Sequence, residues 1–194
     1  MKSIINRIFT IGIMALLTTL VGCSSGTAEK HYFQLESHLQ NQRSQTLNSA
    51  HGFIWIESID VASFLNKQGI VLQTDNIQFV TASNNLWGSS LSQQLGDRLE
   101  QDLAIFLPHY LVSTKAITTP TMTVKLFIDG FHGSYTGDAI IKGRWVVKDS
   151  KDNIETKFFE HRIALKNNGY AALVNALSKG WQDEERDFST LIIR

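Results

Sequence analysis

The sequence predicts an α+β protein, a two-layer sandwich in which a mainly antiparallel sheet carries two amphipathic helices on one face. Three observations carry that prediction. Trp87, Leu91, Leu95, Leu99 and Leu103 recur every four residues, followed by Phe106 after three, which is one apolar stripe along a helix. Tyr170, Leu173, Val174, Leu177, Trp181, Phe188, Leu191 and Ile192 form a second such stripe near the C-terminus. Between the two, Met122, Val124, Leu126 and Ile128 alternate with Thr121, Thr123, Lys125 and Phe127, the period-two pattern of a half-buried strand.

The other elements follow in chain order. Residues 31–35 read as a short first strand, and residues 36–51, rich in Gln and Asn, as an exposed loop. The run 53–61 begins with Phe53, Ile54, Trp55 and Ile56, a continuous apolar segment that predicts a buried strand. Residues 70–72 and 77–80 predict two short strands around the turn residues Thr74, Asp75 and Asn76. Asn84 and Asn85 are expected to cap the first helix, because a short side-chain amide satisfies a free backbone N–H. Gln94, Asp97, Arg98 and Gln101 are placed on its solvent face, and Pro108 ends it. Residues 110–114, 139–149 and 154–165 predict further strands, and the short loops joining the last three strands favour an antiparallel meander. Ile141, Trp145 and Val147 then share one face, with Lys142, Arg144 and Lys148 on the other. The final helix opens after Asn167, Asn168 and Gly169. Gly180 is expected to permit a bend, and Asp183, Glu184, Glu185 and Asp187 lie as an acidic cluster between the apolar positions.

Ahead of this domain the chain has the layout of an export signal. Lys2 and Arg7 supply a positive start, and residues 8–21 are apolar apart from three threonines. That run is shorter than the roughly 20 residues a resident membrane helix needs. It closes on Leu20-Val21-Gly22-Cys23, which resembles the lipobox of bacterial lipoproteins, in which the cysteine thiol takes a diacylglyceryl group before cleavage. The expected division is residues 1–22 as a cleaved signal peptide, 23–30 as a lipidated N-terminus and tether, and 31–194 as one globular domain. A cut before Cys23 removes 22 of the 194 residues, leaving 172, enough for one real core. Removing Lys2 and Arg7 also takes two of 18 basic residues, so against 18 acidic ones the formal charge becomes −2. That balance, without a basic stripe, argues against a nucleic-acid partner. Cys23 is the chain's one cysteine, so no disulfide framework can form and the fold rests on its apolar core.

A search for chemistry yields no catalytic, metal or cofactor-binding set. The six histidines, His31, His38, His51, His109, His132 and His161, show no helical pair at metal-ligand spacing. Residues 133–137 resemble a nucleophile elbow only until Tyr135 takes the place where serine must stand. Asp129, His132 and Asp138 suggest a hydrolase site, but a glycine-rich hairpin loop with Gly130, Gly133 and Gly137 accounts for them better. Lys142, Arg144 and Lys148 fit a solvated sheet face better than a grip on lipid headgroups. Trp87, Leu177 and Trp181 fit the core better than a lipid pocket.

Tyr32-Phe33-Gln34-Leu35 behind the lipobox, then Ile59-Asp60-Val61, Phe64-Leu65, Gly69-Ile70-Val71, Asn85-Leu86-Trp87 and Leu91, and finally Gly169-Tyr170-Ala171-Ala172-Leu173-Val174 with Leu177, occur in one order. This pattern resembles the ABC-type transport auxiliary lipoprotein family over nearly the whole mature chain. The chain departs from it at Phe64 and Leu86, where many members carry a tyrosine and a basic residue. The resemblance implies a non-enzymatic periplasmic domain held at the outer membrane by acyl chains on Cys23. It further implies an MCE-domain periplasmic protein as partner in intermembrane lipid transport, and allows a ring of like subunits. A structural envelope lipoprotein supporting another complex, or a lipid-processing enzyme, are the alternatives.

Overall fold

The computed structural model describes residues 28–37, 39 and 52–192. The proposed signal, Cys23 and most of the expected 36–51 loop lie outside the described residues. The elements are β1 (His31–Phe33), β2 (Gly52–Val61), β3 (Gly69–Gln73), β4 (Phe79–Trp87), α1 (Leu91–Phe106), β5 (Tyr110–Ser113), β6 (Met122–Gly133), β7 (Asp138–Asp149), β8 (Ile154–Ala164) and α2 (Tyr170–Ile192).

Among the described residues all eight strands join one sheet, in the order β1-β4-β3-β6-β2-β5, with β7 beside β6 and β8 beside β7. The meander β6-β7-β8 is antiparallel, as its short loops require. The sheet as a whole is mixed, which corrects the expectation of a mainly antiparallel one. β2 runs parallel to both β5 and β6, β1 runs parallel to β4, and β3 meets β6 in parallel at Gly133. A parallel pair needs a crossover of a dozen or more residues. The chain supplies one where β3, β4 and α1 intervene between β2 and β5.

α1 packs on β2 and β5, α2 packs on β6, β7 and β8, and the helices touch each other. Leu95 and Leu99 of α1 and Leu177, Trp181 and Phe188 of α2 are buried with Ile54, Ile56, Leu126 and Trp145 of the sheet. The stripe read from sequence is therefore the buried one, with one correction at its start. Asn84, Asn85 and Trp87 belong to β4, and Ser90 caps α1 by accepting the Gln93 N–H at 3.3 Å. Leu107, ahead of Pro108, closes the helix by donating its N–H to Leu103 O at 2.7 Å.

α2 runs unbroken through Gly180. A Cβ there would lie 2.4 Å from Cδ1 of Ile163 and 2.7 Å from Cδ1 of Ile141, and its absence lets the helix approach β7 and β8. Gly130 and Gly133 are likewise strand residues of β6, with a register shift between Ile128 and Gly130. The connecting loop is confined to residues 134–137, where Gly137 takes a positive φ of 86°.

Candidate functional site

Polar side chains of α1 and α2 lace the segment after β1 onto the domain. Phe33 O accepts the Gly88 N–H at 2.8 Å, and the Leu35 N–H donates to Gln94 Oε1 of α1 at 2.8 Å. Next, the Glu36 N–H donates to Ser178 Oγ of α2 at 3.1 Å. The Ser37 hydroxyl donates to Asp102 Oδ1 at 3.0 Å and accepts from Gln182 Nε2 at 3.3 Å. Gln94, Asp102, Ser178 and Gln182 are all buried. Gln94 is thus not on the solvent face where the helical pattern put it. Buried polar groups need partners, and each of these four finds one on residues 35–37. The chain that follows the proposed tether is therefore fastened across both helices.

The acidic cluster of α2 divides in two. Asp183 and Asp187 are on the exposed side, but Glu184 and Glu185 are buried. Glu184 accepts the indole N–H of Trp145 at 2.6 Å and bonds His161 Nε2 at 2.5 Å. The hydrogen bond to Glu184 holds the His161 imidazole above its usual range, outweighing partial burial. Glu185 has no solvent exposure, and neither of its oxygens nor Trp181 Nε1 reaches hydrogen-bonding geometry. Burial first, and then the neighbouring Asp102 carboxylate, push the Glu185 carboxyl well above the ordinary carboxylate range. Asp102 itself is ion-paired with Arg98 one turn earlier.

A cleft of about 360 Å³ opens between β8 and the last turns of α2, lined among others by Phe159, His161, Glu184, Asp187 and Leu191. Donor atoms of His161, Glu184 and Asp187 lie within 4.8 Å of one another, a spacing that a metal ion can bridge. Glu184, however, already uses one oxygen on Trp145 and the other on His161. The geometry is that of a structural clamp between sheet and helix.

The other residues singled out in the sequence are not brought together. Asp129 binds Arg144 at 3.2 Å on the surface. His132 is buried, its Nδ1 3.0 Å from Gly133 O, and desolvation lowers its pKa. Asp138 accepts from Thr136 Oγ1 at 2.9 Å and faces Arg162. Arg144 lies 4.2 Å over the Phe127 ring, and Lys148 pairs with Asp152 at 2.8 Å, so two of the three sheet cations already have partners. Trp87, Leu177 and Trp181 are core residues, with Trp181 stacked on Trp145 at 5.9 Å. No helix among the described residues is long and apolar enough to cross a membrane.

This mixed eight-stranded sheet with two helices is a fold shared with solved structures. Protein XCC0632 from Xanthomonas campestris superposes with a TM-score of 0.66 at 10% identity, over 81% of this chain and 92% of that one. The crystal structure of an uncharacterised protein superposes with a TM-score of 0.75 at 29% identity, over 84% of this chain and 99% of that one. The class is thus an α+β domain with a mixed sheet. The model of the ABC-type transport auxiliary lipoprotein component matches residues 33–187, and the chain belongs to that family. Curated relatives named intermembrane transport lipoprotein PqiC, from Escherichia coli (strain K12) and Shigella flexneri, are each 31% identical over 175 residues. The match covers 90% of this chain and 92% of each relative.

Proposed function

We propose that the protein is a non-enzymatic docking subunit of an MCE-type intermembrane lipid transport system and contributes to envelope integrity. In this reading the signal 1–22 is removed and Cys23 carries the acyl chains, palmitate among them. The tether 23–30 then holds a single periplasmic domain, 31–194, at the inner face of the outer membrane. Two or three acyl chains, at about 0.8 kcal/mol per buried methylene, suffice for such an anchor. Its partner is an MCE-domain protein of the PqiB kind, met by one subunit or by a ring of like subunits.

The observation that carries the reading is the likeness to PqiC along 90% of the chain. The lacing of residues 35–37 onto both helices agrees with it, since a positional protein needs its anchor coupled to a rigid body. Asp129, His132 and Asp138 are bonded separately, which gives a lipid-processing enzyme no support. Cross-linking in the native envelope, followed by identification of the captured proteins, tests the proposal. An MCE-domain protein in the capture supports it; consistent capture of a different envelope complex replaces it with the structural reading.

A further inference from the structure

We propose that the β3–β4 hairpin tip is a second, non-covalent contact with the bilayer, seated in the leaflet that holds the acylated Cys23. This rests on the lipoprotein reading above. The tip is built to present an apolar side chain: Ile77 is 91% exposed, while Phe79, Val80 and Tyr135 are exposed beside it. The presentation is fixed by hydrogen bonds. Asp75 Oδ1 accepts the N–H groups of Ile77 and Gln78, both at 2.8 Å, and the Thr74 N–H closes on Gln78 O at 2.9 Å. The Tyr135 hydroxyl donates to Asn76 Oδ1 at 2.5 Å, joining the tip to the β6–β7 loop in one surface. Beneath them Phe79 rests against Phe64 and His132, at ring distances of 4.9 and 5.0 Å.

Chain direction says what covers this patch. β1 is parallel to β4, with His31 opposite Asn85, so the chain ahead of His31 is directed back toward the tip. Cys23 precedes His31 by as many residues as Ile77 precedes Asn85. At roughly 3.3 Å per extended residue that tether reaches about 26 Å, enough to bring the anchor level with Ile77. The tip's neighbours Gln73, Thr74, Asn76 and Gln78 are uncharged, and the Asp75 carboxylate is turned onto the backbone. The chemistry therefore suits apolar insertion at the headgroup boundary, with tyrosine at the interface, and not a basic grip on anionic headgroups. The contact orients a domain that the acyl chains already hold. It sets the opposite end, with the β7–β8 turn and Ile154, away from the membrane.

With Cys23 acylated, Ile77→Cys introduces the one free thiol in the chain, at a site too exposed to disturb folding. The full acylated protein, labelled there with an environment-sensitive fluorophore, is reconstituted in phosphatidylethanolamine–phosphatidylglycerol vesicles carrying nitroxide-labelled lipids. Ile154→Cys serves as the control at the far end, and mass spectrometry reads the acyl chains on the same preparation. The expected result is a blue shift and several-fold quenching at position 77, with neither at position 154. Acylated protein whose position 77 is unquenched, or blue-shifted without quenching because protein covers it, overturns the inference and leaves the anchor standing. An unacylated Cys23 overturns the anchor and this inference together.

Discussion

The indole N–H of Trp145, in the middle of β7, donates to Glu184 Oε1 of α2 at 2.6 Å. The other oxygen of that carboxylate binds His161 of β8, so one buried side chain ties two strands to a helix. A hydrogen bond to a buried carboxylate contributes more than its exposed counterpart, and its loss leaves the acceptor undersatisfied. Trp145→Phe is expected to lower unfolding free energy by about 1–3 kcal/mol or somewhat more with lost packing, read from urea denaturation. An unchanged midpoint would mean that the bond does not form in solution.

Stability should fall as pH rises above 4.5 and further above 6.5, because two groups inside the domain, Glu185 and His161, bind protons more tightly when folded. His161, raised above 6.5 by Glu184, contributes fully below that value and loses its contribution as pH rises through its folded pKa. Glu185, raised well above 4.5 by burial, contributes fully below 4.5, and its contribution declines as pH climbs toward the folded value. His132 has the opposite sign: its lowered pKa removes stability only as pH falls below 6.5. Glu185→Gln is therefore expected to be more stable than the parent at pH 8 and to lose that advantage near pH 4.5. Urea melts at the two pH values decide it, and an advantage independent of pH would contradict it.

Leu95 of α1 and Leu177 of α2 are fully buried within one core. Leu95→Ala and Leu177→Ala should each cost roughly 2–5 kcal/mol, the transfer and cavity terms together. A thermal melt that hardly moves would place these faces outward.

Gly143 of β7 lies where a Cβ would stand 2.1 Å from the carbonyl oxygen of Phe127 and 2.8 Å from Cζ of Phe159. The first of these is backbone of the paired strand and cannot rotate away. Gly143→Ala should destabilise by about 1–3 kcal/mol or prevent accumulation of folded protein, measured by circular dichroism and soluble yield. Gly180→Ala meets first the Cδ1 ends of two flexible isoleucines, Ile163 and Ile141, and should be tolerated better.

Which features were legible in the sequence follows from how local their causes are. Leu91, Leu95, Leu99 and Leu103 announce α1, and the alternation from Met122 to Ile128 announces β6, because each pattern is set by its own neighbours. The parallel pairings were hidden: His31 meets Asn85, and Gly52 meets Tyr110, through tertiary packing that no short window records. Asn84 and Asn85 look like helix caps, yet the pull of β1 and β3 holds them in a strand. The true cap carried a readable signal, since Ser90 stands three residues before Gln93 in the spacing of a capping box. Glu184 and Glu185 also could have been found. They fall three and four residues after Trp181 and before Phe188, on the buried stripe, and charge alone disguised them. Cys23 was read from sequence and lies outside the described residues.

The account depends most on the covalent lipid at Cys23. Intact-mass analysis of the protein recovered from outer-membrane fractions, compared with Cys23→Ala, tests it directly. The account predicts a mature chain beginning at Cys23 with added acyl mass, and a variant that is left uncleaved or released from the membrane. A parent with a bare N-terminus, or a variant that fractionates and labels unchanged, would contradict it.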